Sequence, residues 1–249
     1  MSGHSKWSTI KHKKAKVDAQ RGVAFAKFSK EITVAAKIGG IDPTANFRLR
    51  TAIEKAKASG LPNDNIKRAI EKAAGGGAND NIEELTYEGY AAGGVAVFVE
   101  AMTDNRNRTA GDIRSYFKKF NGNLGESGCV AWMFKPQGEI KLSKDNDFDT
   151  ILELVINAGA DDIQEEEDCY KAITSSDNLQ VVVEEIEKLG YKIISAEITR
   201  NPENIVDVTD EAIAKNILRL LDALESHDDV QNVYSNFDMD DELIEKVSV

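Results

Sequence analysis

The sequence predicts an α+β fold divided into three domains. Apolar residues recur at helical spacing in three segments that precede the three glycines at positions 75–77. Beyond these glycines, strand patterns alternate with helix patterns. The strand and helix patterns after residue 204 are the ones that the first sheet unit lacks, so we expect the last domain to be inserted into the middle one.

A basic arm, residues 1–20, and a three-helix domain, residues 21–77, are predicted at the N-terminus. The first helix extends from Arg21 to Ile38, before Gly39 and Gly40. The second is predicted to have Asp42 as its N-cap and Pro43 at its first position. The third begins around residues 61–63. Three amphipathic helices of this length can form a small bundle.

The middle domain is predicted over residues 78–134 and 205–249. Its first part reads as a βαβ unit, with a strand at 94–100, a helix at 109–120 and a strand from Cys129 to Phe134. Its second part adds a strand at 205–208, a helix from Asp210 or Glu211 to Leu224, and a strand at 230–237. The two parts together predict one α+β domain that the chain leaves and re-enters.

The inserted domain is predicted over residues 135–204. Strands are expected at 138–142, 161–164, 168–173 and 191–198, with helices at 148–158 and 179–189. This β-α-β-β-α-β order is typical of ferredoxin-like domains. We therefore predict two ferredoxin-like domains, the second of which interrupts the first.

Charge is distributed unevenly along the chain. Residues 1–75 contain 16 Lys and Arg against 6 Asp and Glu, a net charge of +10. The remaining residues contain 15 against 37, a net charge of −22, although the whole chain carries only −12. A basic end on an acidic body is typical of proteins that bind polyanions.

The basic arm contains the densest cluster of candidate nucleic-acid contacts. Cations and one indole lie close together there, and such an arm can neutralise phosphates and stack on bases. The alternative is a solvated terminus without a partner. The candidate contacts in the arm are Lys6, Trp7, Lys11, His12, Lys13, Lys14 and Lys16, and we add Arg21 at the start of the first helix.

A second candidate lies where the second and third helices meet. Ala56, Gly60 and Ile66 have the spacing of the small residue, the turn and the core contact of a helix-turn-helix. Plain helix packing also explains this loose pattern. If the third helix reads nucleic acid, its exposed start presents Asn65, Lys67 and Arg68.

A third candidate precedes the helix of the middle domain. Arg106, Asn107 and Arg108 could hold a phosphate or carboxylate at the positive end of that helix. The alternative is helix capping by Asn107 or Asp104, with the arginines in ion pairs to the acidic body.

Several classes of protein are not indicated. No apolar run of membrane-spanning length occurs, and Lys and His occupy the N-terminus where a secretory signal needs apolar residues, so we expect a cytoplasmic protein without a membrane partner. The two cysteines, Cys129 and Cys169, predict buried or half-buried thiols. The pattern offers no catalytic residues, no metal ligands and no cofactor motif.

Six ordered motifs closely resemble the YebC/PmpR family. They are residues 2–7, 10–14, 18–22, 61–66, 87–96 and 103–109. The resemblance covers essentially the whole chain. It implies a helical N-terminal domain followed by two α+β domains, in agreement with the pattern above.

For function, the resemblance implies a non-enzymatic regulator of gene expression that binds nucleic acid. Bacterial members are described as probable DNA-binding transcriptional regulators, whereas mitochondrial relatives activate translation of cytochrome c oxidase, and translation on stalled ribosomes is the alternative. DNA, ribosomal RNA and the ribosome are therefore the expected partners, and the oligomeric state stays open. A ligand-sensing interaction protein is a further alternative, for which the sequence shows no cluster of pocket-lining residues.

Overall fold

A computed structural model of the chain describes residues 18–75, 82–145 and 147–247. It confirms the predicted fold class, with three helices followed by two sheet domains. The helices are α1 (Asp18–Gly39), α2 (Phe47–Ala58) and α3 (Asn63–Ala74). Their apolar faces form one core around Ile32, Leu49, Ala56 and Ile66.

The predicted start of the second helix is wrong by four residues. Asp42 forms a turn in which its carboxylate accepts hydrogen bonds from Thr44, and Asn46 is the N-cap of α2. The buried Asn46 side chain accepts a bond from Leu49 N at 3.0 Å and donates to Ala35 O and Gly40 O, both at 2.8 Å. One side chain therefore caps α2 and also fixes the end of α1, which Asp42 cannot do from a solvent-exposed turn.

The middle domain is built from two distant parts of the chain. The first contributes β1 (Glu83–Tyr90), β2 (Ala96–Thr103), α4 (Arg106–Lys119) and β3 (Asn123–Leu124). The second contributes β8 (Val206–Asp207), α7 (Glu211–Glu225), β9 (Val230–Ser235), β10 (Phe237–Asp238) and α8 (Asp241–Val247). In the sheet β3-β1-β2-β9 all neighbours are antiparallel, and β9 joins β2 in the register Val99↔Val233.

In this domain one strand was not predicted and one predicted strand is largely wrong, and the Glu88 carboxylate connects the two. Strand β1 was not predicted, because glutamates at 83, 84 and 88 interrupt its apolar pattern, and residues Cys129 to Met133 do not form the predicted strand. The buried Glu88 carboxylate accepts bonds from Gly128 N, Val130 N and Ala131 N at 2.7–2.8 Å. Backbone donors that converge on one carboxylate cannot alternate as they do in a strand, so a short 3-10 turn (Ala131–Met133) forms instead.

The inserted domain has the predicted ferredoxin-like topology. Its elements are β4 (Phe134–Leu142), α5 (Phe148–Asn157), β5 (Asp162–Glu165), β6 (Tyr170–Ser175), α6 (Leu179–Lys188) and β7 (Ile193–Pro202). The sheet order is β5-β6-β4-β7, with every neighbouring pair antiparallel. The sheet of the middle domain is also four-stranded and antiparallel. It begins along the chain with the β1–β2 hairpin, so the order in which its strands and helices are connected differs from β-α-β-β-α-β.

Among the described residues, no helix is both long and apolar enough to cross a membrane.

Candidate nucleic-acid interface

The structure places only part of the predicted site. The arm residues Lys6, Trp7, Lys11, His12, Lys13, Lys14 and Lys16 lie outside the described residues. The predicted site residues that can be located are Arg21, Asn65, Lys67 and Arg68 in the helical domain, and Arg106, Asn107 and Arg108 at the start of α4.

The cations on the inner face of the helical domain pair with acids of the other two domains. Arg48 on α2 binds Glu84 of β1, with 2.6 Å between Nη2 and Oε1, and also binds Glu31 of α1. The inner set further comprises Lys30 with Asp229, Lys55 with Glu197, and the more distant pair Arg50 with Glu187. Part of the positive charge counted in the sequence therefore docks the helical domain on the acidic body.

The outer cations have no such partners. Arg21 on α1, Lys57 on α2, and Lys67 and Arg68 on α3 are exposed. Across residues 18–75, 82–145 and 147–247, no hydrogen bond or ion pair of their side chains is found. These four residues, which we call the outer cations, are available to an external anion.

The turn between α2 and α3 has the predicted packing. Ala56 and Ile66 are buried, and Gly60 has φ +81°, a left-handed conformation that favours glycine. The exposed side of α3 also carries Asp64 and Glu71, next to Lys67. Acidic side chains at that position would repel the phosphates that flank a DNA groove.

Asn65 and Arg68 are brought together, whereas Lys67 is not. Both line a pocket between α1 and α3 that Lys30 and Lys72 also line, and Lys67 lies outside it. Lys72 is one helical turn beyond Arg68, so helical spacing alone would have suggested it. Lys30 joins the pocket only through the packing of α1 on α3, which no local pattern reveals.

The predicted anion site at α4 has an anion from the chain itself. The Asp229 carboxylate is buried and accepts hydrogen bonds at Oδ2 from Thr109 at 2.7 Å, Arg108 at 2.9 Å and Thr103 at 3.1 Å. Lys30 binds its other oxygen. Burial alone would raise the pKa of Asp229, but the hydrogen bonds from Lys30, Thr109 and Arg108 hold that pKa well below its usual range.

Arg108 thus follows the alternative interpretation, in which it pairs with the acidic body through Asp229 and Asp104. The cap of α4 is neither Asn107 nor Asp104 but Asn105, whose side chain accepts a bond from Arg108 N at 3.1 Å. Arg106 and Asn107 are exposed in the first turn of α4, and their contact with an external anion stays a prediction.

A larger cleft lies where the three domains meet. It has a volume of about 640 Å³ and is lined by residues of α1, α2, β1, β2, α6, β7 and β9. Ion pairs that join the domains lie along it, among them Arg48 with Glu84 and Lys55 with Glu197, and Arg200 pairs there with Glu100. The sequence did not suggest this pocket because its lining comes from seven separate elements.

Potential metal ligands are dispersed in the described residues, and the two thiols are at least partly buried. Within the described parts of the chain, no cluster of three or more His, Cys, Asp or Glu residues that could hold a metal ion occurs. Cys169 is buried and Cys129 is half-buried, as predicted, and burial raises the pKa of both thiols.

Comparison with known proteins covers nearly the whole chain. Residues 5–76 match the family description "TACO1/YebC protein N-terminal domain", and residues 82–237 match "TACO1/YebC second and third domain". A "Probable transcriptional regulatory protein" of Geobacter sulfurreducens is 56% identical, covering 99% of this chain and 100% of the relative. Another protein of that description, from Desulfotalea psychrophila, is 53% identical over the full length of both chains.

A solved structure supports the same relationship. The crystal structure of a conserved hypothetical protein from Aquifex aeolicus has a TM-score of 0.83 and 49% sequence identity. The match covers 93% of this chain and 96% of the other.

Proposed function

The chain belongs to the TACO1/YebC family, and we propose that it is a non-enzymatic, nucleic-acid-binding regulator of gene expression. Relatives more than half identical to it over their full length are named probable transcriptional regulatory proteins, which supports the regulatory class. The observation that carries nucleic-acid binding is the division of the cations of the helical domain. The inner ones pair with the acidic body, whereas the outer cations Arg21, Lys57, Lys67 and Arg68 face outward without a partner among the described residues.

Binding of this kind is directed mainly at phosphates. Lys and Arg that neutralise phosphates release counterions, which makes affinity strongly dependent on salt and only weakly dependent on sequence. The names of the relatives favour duplex DNA at promoters as the target. In that version α3 enters a groove and Lys67 and Arg68 contact its phosphates or base edges.

One observation favours RNA, and with it the ribosome, as a second candidate. Asp64 and Glu71 flank Lys67 on α3, and Asn65 and Arg68 face the pocket beside α1. Few side chains of α3 are then left to read base edges, and each good bidentate base contact contributes only about 1–3 kcal/mol of discrimination. Structured RNA can be bound through its shape, its phosphates and its unstacked bases without a reading helix.

A filter-binding competition at about 150 mM salt tests the proposal and separates its two versions. The purified full-length chain is bound to a labelled duplex, and unlabelled random duplex, fragments of candidate promoters and ribosomal RNA compete for it. We expect random duplex and promoter to compete within about tenfold of each other, and ribosomal RNA to compete effectively.

The outcomes decide separate points. A promoter bound at least about 10³-fold more tightly than random duplex would establish a sequence-specific transcription factor and exclude the RNA version. If no nucleic acid binds at about 50–200 mM salt, a range over which affinity can fall about 10³-fold, the proposed function is wrong.

A further inference from the structure

An open pocket lies between α1 and α3. Its volume is about 320 Å³, which exceeds the roughly 30 Å³ share of one water molecule about tenfold. It is lined by Ser29, Lys30, Thr33, Asn65, Arg68, Ala69, Lys72 and Ile82. Residues of α1 and α3 and Ile82 therefore build it together.

The lining of this pocket is positive. Lys30, Arg68 and Lys72 contribute basic side chains from two helices, and among the described residues no carboxylate lines the pocket. Asp229 binds Lys30 and is also bound by Arg108. Lys30 therefore has a carboxylate partner, whereas Arg68 has no ion pair among the described residues and supplies the uncompensated positive charge of the pocket.

Hydrogen-bond donors in the pocket remain unused. An ammonium group has three N–H donors, and Lys30 uses two of them, on Asp229 Oδ1 and on Asp228 O at 3.0 Å. Among the described residues, neither the Arg68 guanidinium nor the Asn65 amide donates a hydrogen bond. The lining thus offers one ammonium donor, a forked guanidinium and an amide, a set that matches the oxygens of a phosphate group.

The wall of the pocket is fixed before any ligand arrives. Thr33 of α1 is buried, and its hydroxyl lies 3.1 Å from Ala69 O of α3 and 2.8 Å from Ser29 O. This contact holds the two helices at a set distance, and the small residues Ser29 and Ala69 leave the space open. Lys30 is held in turn by Asp229 and Asp228, so part of the donor set is already oriented.

We propose that this pocket binds one phosphodiester group of the nucleic-acid backbone, with Arg68 as its principal ligand and Lys30 and Asn65 as further donors. Lys72 also lines the pocket, whereas Lys67 lies outside it and does not take part. The proposal deepens the proposed function, because it names the point on the helical domain where a backbone phosphate is held. Free phosphate and mononucleotides share the same chemistry and are the competing ligands.

Two neighbouring substitutions on α3 provide the matched test. Arg68→Gln and Lys67→Gln each remove one exposed cation from the same helix turn, so long-range electrostatics change equally. In the full-length chain we expect R68Q to weaken binding of a short RNA or DNA oligonucleotide about tenfold or more, because a charge-assisted hydrogen bond is removed. We expect K67Q to weaken it about twofold or less. Equal losses for the two variants would overturn the pocket while leaving nucleic-acid binding intact.

A second readout keeps the test independent of the proposed function. The side-chain amide of Asn65 and the guanidinium of Arg68 are followed by NMR in the wild-type chain during titration with a dinucleotide and with inorganic phosphate. Shifts at both groups that are stronger with the dinucleotide support the proposal. Shifts with inorganic phosphate alone show a free-phosphate site instead, and the absence of shifts with either probe overturns the pocket, even if long nucleic acids bind elsewhere.

Discussion

Both faces of the helical domain carry Lys and Arg side chains, but the two faces differ in whether these side chains are paired with acidic residues. On the inner face, Lys30, Arg48 and Lys55 lie against acids of the middle and inserted domains. On the outer face, Arg21, Lys57, Lys67 and Arg68 form no ion pair within the described residues. Net charge therefore overstates what a nucleic acid can contact, since tertiary pairing decides which cations are available.

The largest expected effect comes from removing the outer cations. We expect the fourfold variant R21Q, K57Q, K67Q and R68Q to bind nucleic acid at least about 100-fold more weakly at about 150 mM salt. The slope of log affinity against log salt should become shallower by roughly 0.7–0.9 for each phosphate that the variant no longer neutralises. Both quantities follow from one salt series in a filter-binding assay.

The control for that variant removes four exposed cations from the acidic body: K118Q, K192Q, K215Q and R219Q. It changes the net charge by the same amount. A loss of affinity as large as that of the first variant would show that total charge, and not the outer face, determines binding.

Among the ion pairs of the inner face, we expect the one that contains the buried Asp229 to be the most sensitive to substitution. We expect Asp229→Asn to lower the free energy of unfolding by about 2–4 kcal/mol, because breaking a buried ion pair typically costs about 3–5 kcal/mol. The lower figure applies because Lys30 and Arg108, with side chains 23% and 49% exposed, can regain water. Urea unfolding of the full-length chain measures the change.

The control for Asp229 uses the same arginine. Asp104 also binds Arg108, but its side chain is 61% exposed, so Asp104→Asn should cost about 1 kcal/mol or less. If the two variants are destabilised by similar amounts, burial does not distinguish the two carboxylates.

The same carboxylate predicts how stability responds to acid. Its pKa in the folded chain lies below the value of 3.8 expected for an unperturbed aspartate. A depressed pKa contributes stability above the unfolded-state pKa and loses it as pH falls towards the folded-state pKa. The difference in unfolding free energy between wild type and D229N should therefore be constant near pH 7 and shrink below about pH 5. A difference that grows in acid would contradict the assignment.

The exposed pairs of the inner face should have the smallest effect. We expect Glu84→Gln combined with Glu197→Gln to lower the free energy of unfolding by about 1 kcal/mol or less at low salt, and by nothing measurable at about 1 M salt. Glu54→Gln with Glu71→Gln is the matched control, since neither glutamate has an ion pair within the described residues. A salt-independent loss of stability would mean that packing, not charge, joins the domains there.

Much of the fold could be predicted because its signals are local. Helical spacing and glycine turns located α1 and α3, and the alternation of strands and helices located the inserted domain. Strand β1 was not predicted because it contains a buried glutamate, Glu88, whose carboxylate is satisfied only by the distant backbone N–H groups of residues 128, 130 and 131. The apolar residues near Val130 predicted a strand because the sequence does not reveal that Val130 N donates to the Glu88 carboxylate.

The candidate site was less predictable than the fold. The cationic character of Arg68 and Lys67 is evident from the sequence, but the partner of Lys30 lies 199 residues away along the chain. No spacing rule separates an inner from an outer cation when the partner acid belongs to another domain. The same holds for Arg108, whose carboxylate partner Asp229 is supplied by the segment that precedes β9.

The interrupted middle domain has a consequence for the order in which the chain folds during synthesis. Strand β2 emerges early and can pair with β1, but it lacks its other neighbour until β9, which begins at Val230, has been made. The inserted sheet is complete once Pro202 has emerged, and its first and last residues are paired, Phe134 with Pro202. Once folded, it brings its own ends together and acts as a short connection between β3 and β8, so less loop entropy opposes the late docking of β9.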